Sequence, residues 1–161
     1  MESSELDSLY TKDIRKHSLT PENNAKLDSP DVEGYAINPF CGDEVYLQAN
    51  ISNSQIINIG VQTIGCSINS ASGSIMSYTI LNKNEVEINC LYDTFKVFLS
   101  NSNLSNNKLA DLGDLSILSN LRSFPIRIKC ALLSWSALDD LSLIHISEPT
   151  RPRLISYAVF C

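Results

Sequence analysis

Long apolar runs, a hydrophobic leader, an excess of basic charge and an abundance of histidine are all missing from this chain of 161 residues. No apolar stretch approaches the ~20 residues that a membrane-spanning helix needs, so a membrane association is not expected. The start, Met1-Glu-Ser-Ser-Glu, is polar and acidic, unlike a secretory signal, and the expected location is cytoplasmic. Acidic residues outnumber basic ones by 18 to 12, which argues against nucleic acid as a partner. Only two histidines are present, and the second, His145, falls in a segment that needs its own reading.

That segment is 141–161. Leu141-Ser-Leu-Ile-His-Ile-Ser-Glu-Pro-Thr-Arg151 reads codon for codon as the in-frame translation of a transposase sequencing adapter. Three variable residues follow, Pro152 to Leu154, and then Ile155-Ser-Tyr-Ala-Val-Phe-Cys161 matches the adapter's second constant stretch. The expectation is a domain over 1–140 followed by adapter read-through, with 141–161 excluded from fold reasoning. Setting the tail aside removes Arg151, Arg153 and Glu148, leaving 10 basic and 17 acidic residues and a net charge of −7. It also removes His145 and Cys161 as ligands, so one histidine and four cysteines remain. A chain of this length with ordinary apolar content makes one domain with one core.

In a reducing compartment, spaced cysteines read as metal or catalytic groups before they read as disulfides, and the sequons at Asn50 and Asn103 carry no meaning. Three cysteines sit in short islands: Asn38-Pro-Phe-Cys41-Gly-Asp43, Gly65-Cys66-Ser-Ile and Arg127-Ile-Lys-Cys130. Cys41 and Asp43, two apart, face one side of an extended chain, and Gly42 lets the backbone turn between them. Cys66 falls between a strand and a helix, where free N–H groups and the positive dipole end favour a thiolate. Cys130 lies in the first turns of a last helix with Arg127 on the same face. Three thiolates and a carboxylate form a tetrahedral set that Zn2+ accepts, with a formal charge of −2 that Arg127 and Lys129 offset. Spacing alone leaves this open, since a lone cysteine is usually a small buried hydrophobe.

Alternation and periodicity give the elements. Leu6, Leu9, Tyr10 and Ile14 fall at helical spacing, ending before Pro21. Val32 to Ile37, Val45 to Ile51 and Gln55 to Thr63 read as three antiparallel strands, with a turn at Ser52-Asn-Ser54. Ser67 to Leu81 reads as one helix, and Asn84 with Glu87 as the capping pair of a second carrying Ile88, Leu91, Phe95 and Phe98. Residues 101–108 read as a polar linker, and Pro125 opens a last helix through Leu138. Strands followed by helices give an α+β fold, a three-stranded antiparallel sheet packed against helices. Cys90, Trp135 and Leu138 read as core, His17 as a helix-end packing or capping group, and Asp111 and Asp114 as turn caps around Gly113 or partner contacts.

Together with Leu9-Tyr10, His17, Pro21 and Asp111-Leu-Gly-Asp114, the three islands resemble the SufU branch of the SufU/IscU/NifU-N iron-sulfur assembly proteins, from about Leu6 to Asp140. The resemblance implies Cys41, Asp43, Cys66 and Cys130 as metal ligands and a role for Arg127 in sulfur transfer. It implies a zinc-dependent, sulfurtransferase-like acceptor, whose standing as an enzyme is open. Cys41 would take persulfide sulfur from a SufS-type PLP-dependent cysteine desulfurase and supply downstream cluster-assembly proteins. The alternative it carries is a scaffold on which a 2Fe-2S cluster is built from iron at the same residues. A purely structural zinc module is a third reading, weakened by the carboxylate ligand. Two positions depart from the family: Thr63 stands where a glycine is usual before Gly-Cys, stiffening the approach to Cys66, and Lys129 stands where IscU scaffolds have histidine. Lys129 and the long insertion between Cys66 and Cys130 favour the SufU branch.

Overall fold

The computed structural model describes residues 10–100 and 103–145, with side chains through residue 140. The first helix, α1 (Lys12–Leu19), starts at Thr11, whose side chain accepts a hydrogen bond from the Ile14 N–H at 3.3 Å, and it buries Ile14. Leu6 and Leu9, expected in this helix, lie outside the described residues.

Three strands follow: β1 (Val32–Ile37), β2 (Glu44–Ser52) and β3 (Gln55–Ile64), antiparallel in the order β1-β2-β3. Val45, Leu47 and Ala49 alternate into the core, joined by Val32, Ile59 and Val61 from the neighbouring strands. Ser52 pairs with Gln55 across Asn53 and Ser54, both with positive φ (51° and 63°), as a two-residue hairpin of the right twist requires.

Helices α2 (Ser67–Thr79) and α5 (Pro125–His145) cover the sheet and pack on each other, α2 against β3 and α5 against β1. Between them runs α3 (Glu85–Leu99), opened by a complete capping box: Asn84 Oδ1 accepts from the Glu87 N–H at 2.9 Å, and Glu87 Oε1 accepts from the Asn84 N–H at 3.3 Å. Trp135 is fully buried, stacked on Tyr92 and tilted against Phe95 with ring centroids 5.3 and 5.8 Å away. The expected linker is instead partly helical. Ser105 caps α4 (Asn106–Leu112), and a 3-10 segment continues from Gly113 to Ser123. Leu112, Leu115, Leu118 and Leu121 are all fully buried. Their spacing of three is the 3-10 repeat, which stacks side chains on one edge.

α5 begins at Pro125, whose missing N–H costs nothing in the first turn. It runs five residues into the segment read as adapter, and 146–161 lie outside the described residues. Among the described residues no helix is long and apolar enough to cross a membrane.

Candidate metal centre

The β1–β2 pairing ends at Ile37 and Glu44, leaving 38–43 as the connecting loop. Buried Asn38 organises it. Its N–H donates to the Asp43 carbonyl at 2.8 Å, its own carbonyl accepts from the Gly42 N–H at 2.7 Å, and its Oδ1 accepts from the Phe40 N–H at 3.0 Å. This Asx-type turn, with Gly42 at φ 76°, puts Cys41 on the exposed tip and folds Asp43 inward to 5% exposure. Cys41 and Asp43 thus come together through a turn rather than along an extended chain.

The second segment follows β3. Thr63 stays in the strand, paired with Val45, and its hydroxyl lies 2.8 Å from that of Ser70 on α2, so it ties strand to helix. Gly65 has φ 131°, and a Cβ there would stand 2.1 Å from Asp43 Oδ1 and 2.4 Å from its Cγ. The Asp43 carboxylate therefore lies on the bare face of Gly65. Half-buried Cys66 is the N-cap residue of α2 but makes no side-chain capping bond.

The third segment is α5, where Cys130 is 1% exposed and its sulfur lies 3.8 Å from the Ile126 carbonyl. One donor atom each from Cys41, Asp43 and Cys130 lies within 4.8 Å of the others. Cys66 stands outside that compact trio but close enough to the Cys130 sulfur to act on its charge. The Cys130 thiol is pushed up to about 12, first by burial and then by Cys66, Asp43 and Cys41 around it. A divalent cation would relieve the crowding of acidic groups around the buried Cys130 sulfur. Asp43 Oδ2, buried with no hydrogen-bond partner in the fold, points to the same need. Sulfur and carboxylate donors of this kind suit Zn2+, and their thiolates also suit iron.

Arg127 lies one turn before Cys130. Burial opposes its charge, but Tyr10 and the sulfurs of Cys66 and Cys130, the last through a hydrogen bond, outweigh it and raise its pKa. Tyr10, which the sequence marked by helical spacing and by the family pattern but not as part of the site, therefore borders it. Lys129 Nζ sits 5.1 Å from the centre of the exposed Phe40 ring, within cation–π range.

Two of the other candidates, His17 and Asp114, make contacts within the fold. His17 Nδ1 is 2.8 Å from Ser74 Oγ, and its ring stacks on Tyr78 with centroids 5.9 Å apart, a packing role. Asp114 accepts from the Tyr78 hydroxyl at 2.7 Å. Asp111 lines a cavity of about 450 Å³ together with Lys83, Glu87 and Cys90, and Cys90 is half-buried rather than a core residue.

Comparison with known proteins gives a consistent set of relatives. Residues 9–131 match the NifU-like N terminal domain. The iron-sulfur cluster assembly scaffold protein IscU of Streptococcus pyogenes serotype M1 is 33% identical over 141 residues, 87% of this chain and 86% of that protein. The zinc-dependent sulfurtransferase SufU of Bacillus subtilis is 35% identical over 138 residues, 83% of this chain and 89% of that protein. The crystal structure of FiSufU from Fervidobacterium islandicum AW-1 shares the fold, with a TM-score of 0.76 at 24% identity over 83% of this chain and 96% of that one.

Proposed function

The chain belongs to the NifU-like N terminal domain family, and from that premise we propose that it acts in cytoplasmic iron-sulfur cluster assembly as a zinc-dependent sulfur acceptor and carrier. Its sulfur would come from a SufS-type, PLP-dependent cysteine desulfurase and pass to downstream cluster-assembly proteins. The observation that carries this reading is a division within the cluster: Cys41 is exposed on a loop tip while Asp43 and Cys130 beside it are buried. A group that must meet a partner's sulfur has to be reachable, and ligands that keep a metal in place are better buried.

Cys41, Asp43, Cys66 and Cys130 would hold Zn2+, which supplies charge neutralisation and keeps thiolates deprotonated at neutral pH. Cys41 thiolate attacks the outer sulfur of the desulfurase persulfide. A new S–S bond forms on Cys41, the S–S bond on the desulfurase breaks, and the desulfurase cysteine leaves as a thiolate; no electrons are gained or lost overall. Cys66, Cys130 and Asp43, all less exposed than Cys41, stay in place. Arg127, which lies beside Cys66 and Cys130, supplies positive charge next to the rearranging sulfurs.

A second reading, assembly of a 2Fe-2S cluster on the same four residues, is supported by the scaffold role in the Streptococcus pyogenes relative's name and by a donor set that iron accepts. One experiment separates them. Zinc and iron per chain are measured as isolated, and alanine release by a SufS-type desulfurase is followed with and without this protein. Zinc with faster alanine release, and one added sulfur atom on Cys41 by mass spectrometry, is the expected result. An iron-bearing, coloured protein without stimulation favours the scaffold. Cys41→Ala abolishes sulfur uptake while keeping part of the zinc, because three ligands with water in the fourth position remain a viable site. Added sulfur on Cys66 or Cys130 with Cys41 unmodified overturns the assignment.

A further inference from the structure

The β2–β3 ladder ends at the pair Glu44 and Ile64. Immediately outward lie Asp43 on one strand and Gly65 with Cys66 on the other, so the gap between these two strand ends sets the gap between a carboxylate and a thiol. Asn69, fully buried in the first turn of α2, spans that gap. Its Nδ2 donates to the Glu44 carbonyl at 3.2 Å and to the Ile64 carbonyl at 3.3 Å. The opposite amide orientation would set its oxygen against both carbonyls, so the network fixes the amide as it stands. Oδ1, in contrast, is buried without a hydrogen-bond partner in the fold. That is a desolvation cost which alanine at this position would not carry. Helix propensity gives no reason for asparagine here. The bridge between the two strand ends does.

We infer that Asn69 is a positioning residue of the metal centre, clamping the ends of β2 and β3 so that Asp43 rests on Gly65 beside Cys66. The inference rests on the zinc reading above. Asn69 touches no ligand side chain through its hydrogen bonds; it acts on the backbone that carries them, and the two donors of one NH2 group make both strand ends move together. Removing them lets the ends separate, and the oxygen–sulfur geometry offered to the metal loosens.

The test uses the full chain with Co2+ in place of Zn2+, because thiolate-to-cobalt and d–d absorption bands report coordination geometry directly. Asn69→Ala is expected to shift those bands and to weaken zinc binding, read by chelator competition, by about 10- to 100-fold, the range for outer-shell partners of metal ligands. Asn69→Ser, which keeps one donor and is the gentler change for folding, is expected to fall between. Urea unfolding of the metal-free proteins runs alongside. Unchanged cobalt spectra and zinc affinities in both variants, with only metal-free stability reduced, overturn the inference and leave Asn69 an ordinary core residue. A wild-type chain that gives no thiolate–cobalt band overturns the zinc reading, and this inference with it.

Discussion

Gly65→Ala is the sharpest single perturbation of the site, because it adds one methyl group to a surface already taken. The new Cβ would meet Asp43 Oδ1 at 2.1 Å, Cγ at 2.4 Å and Cβ at 3.0 Å. Swinging the carboxylate tip aside therefore does not clear the clash, since Asp43 Cγ and Cβ are also too close. The backbone at φ 131° adds strain of its own for any residue with a side chain, of order 1–3 kcal/mol. If the chain must bear that much to restore Asp43 to its place, metal affinity falls by about 5- to 150-fold, at 1.4 kcal/mol per tenfold. Zinc affinity by chelator competition is the assay, run on wild type, Gly65→Ala, Asp43→Ala and the double variant. With Asp43 shortened, the methyl group has less to strike, so the two losses should be strongly non-additive. Simple additivity, or a Gly65→Ala protein that binds zinc like wild type, would refute the idea that Gly65 exists to seat Asp43.

Arg127→Ala should keep its zinc but slow persulfide uptake by about 10- to 100-fold, the value of a charge-assisted hydrogen bond, and Arg127→Lys should recover only part because it keeps the charge without the planar fork; equal rates in all three dismiss the arginine. In the metal-free chain, the Cys130 thiol is raised to about 12 from the ~8.5 of an unfolded cysteine. Its neutral form is thus the one the fold favours, and the associated stability is complete below about pH 8.5 and lost as pH climbs toward 12. Urea midpoints of metal-free protein should decline over that window, less so in Cys130→Ser, and a flat profile in wild type contradicts the burial of this thiol. A chain ended at residue 140 should unfold within about 0.5 kcal/mol of the full chain, since 141–161 reads as adapter translation. A loss above ~2 kcal/mol would make 141–161 part of the fold.

The strands were legible because Val45, Leu47 and Ala49 alternate and because Ser52-Asn-Ser54 has the chemistry of a tight turn; all three strand spans agree with the structure to within a residue or so. Asn84 and Glu87 announced α3 for the same local reason, a reciprocal pair of backbone bonds. The stretch after α3 was misread. Serines and asparagines at 100–107 look like a linker, and the leucines at 112, 115, 118 and 121 repeat every three residues, matching neither the strand period of two nor the α-helical 3.6. At the site, the three islands drew attention to Cys41, Asp43 and Cys130, which the fold gathers, and to Cys66, which it places against Cys130 just outside the trio. The loop geometry was misjudged, since Asn38 builds a turn where an extended chain was expected. Asn69 escaped notice because its partners, two strand-end carbonyls, come from other segments, and Tyr10, noted only for helical spacing and as part of the family pattern, could not be placed beside Arg127 of the last helix from local sequence.

Cys130 arrives on the final helix, long after the loop carrying Cys41 and Asp43 and the junction carrying Cys66 have been made. On the ribosome, the earlier residues emerge as an open, partial set with no buried floor. The missing sulfur comes with α5, the same helix that brings Trp135 into the core. If these residues hold zinc as proposed, full coordination and the closing of the core would be one event in the life of the chain. A nascent product lacking α5 would then offer only a partial ligand set.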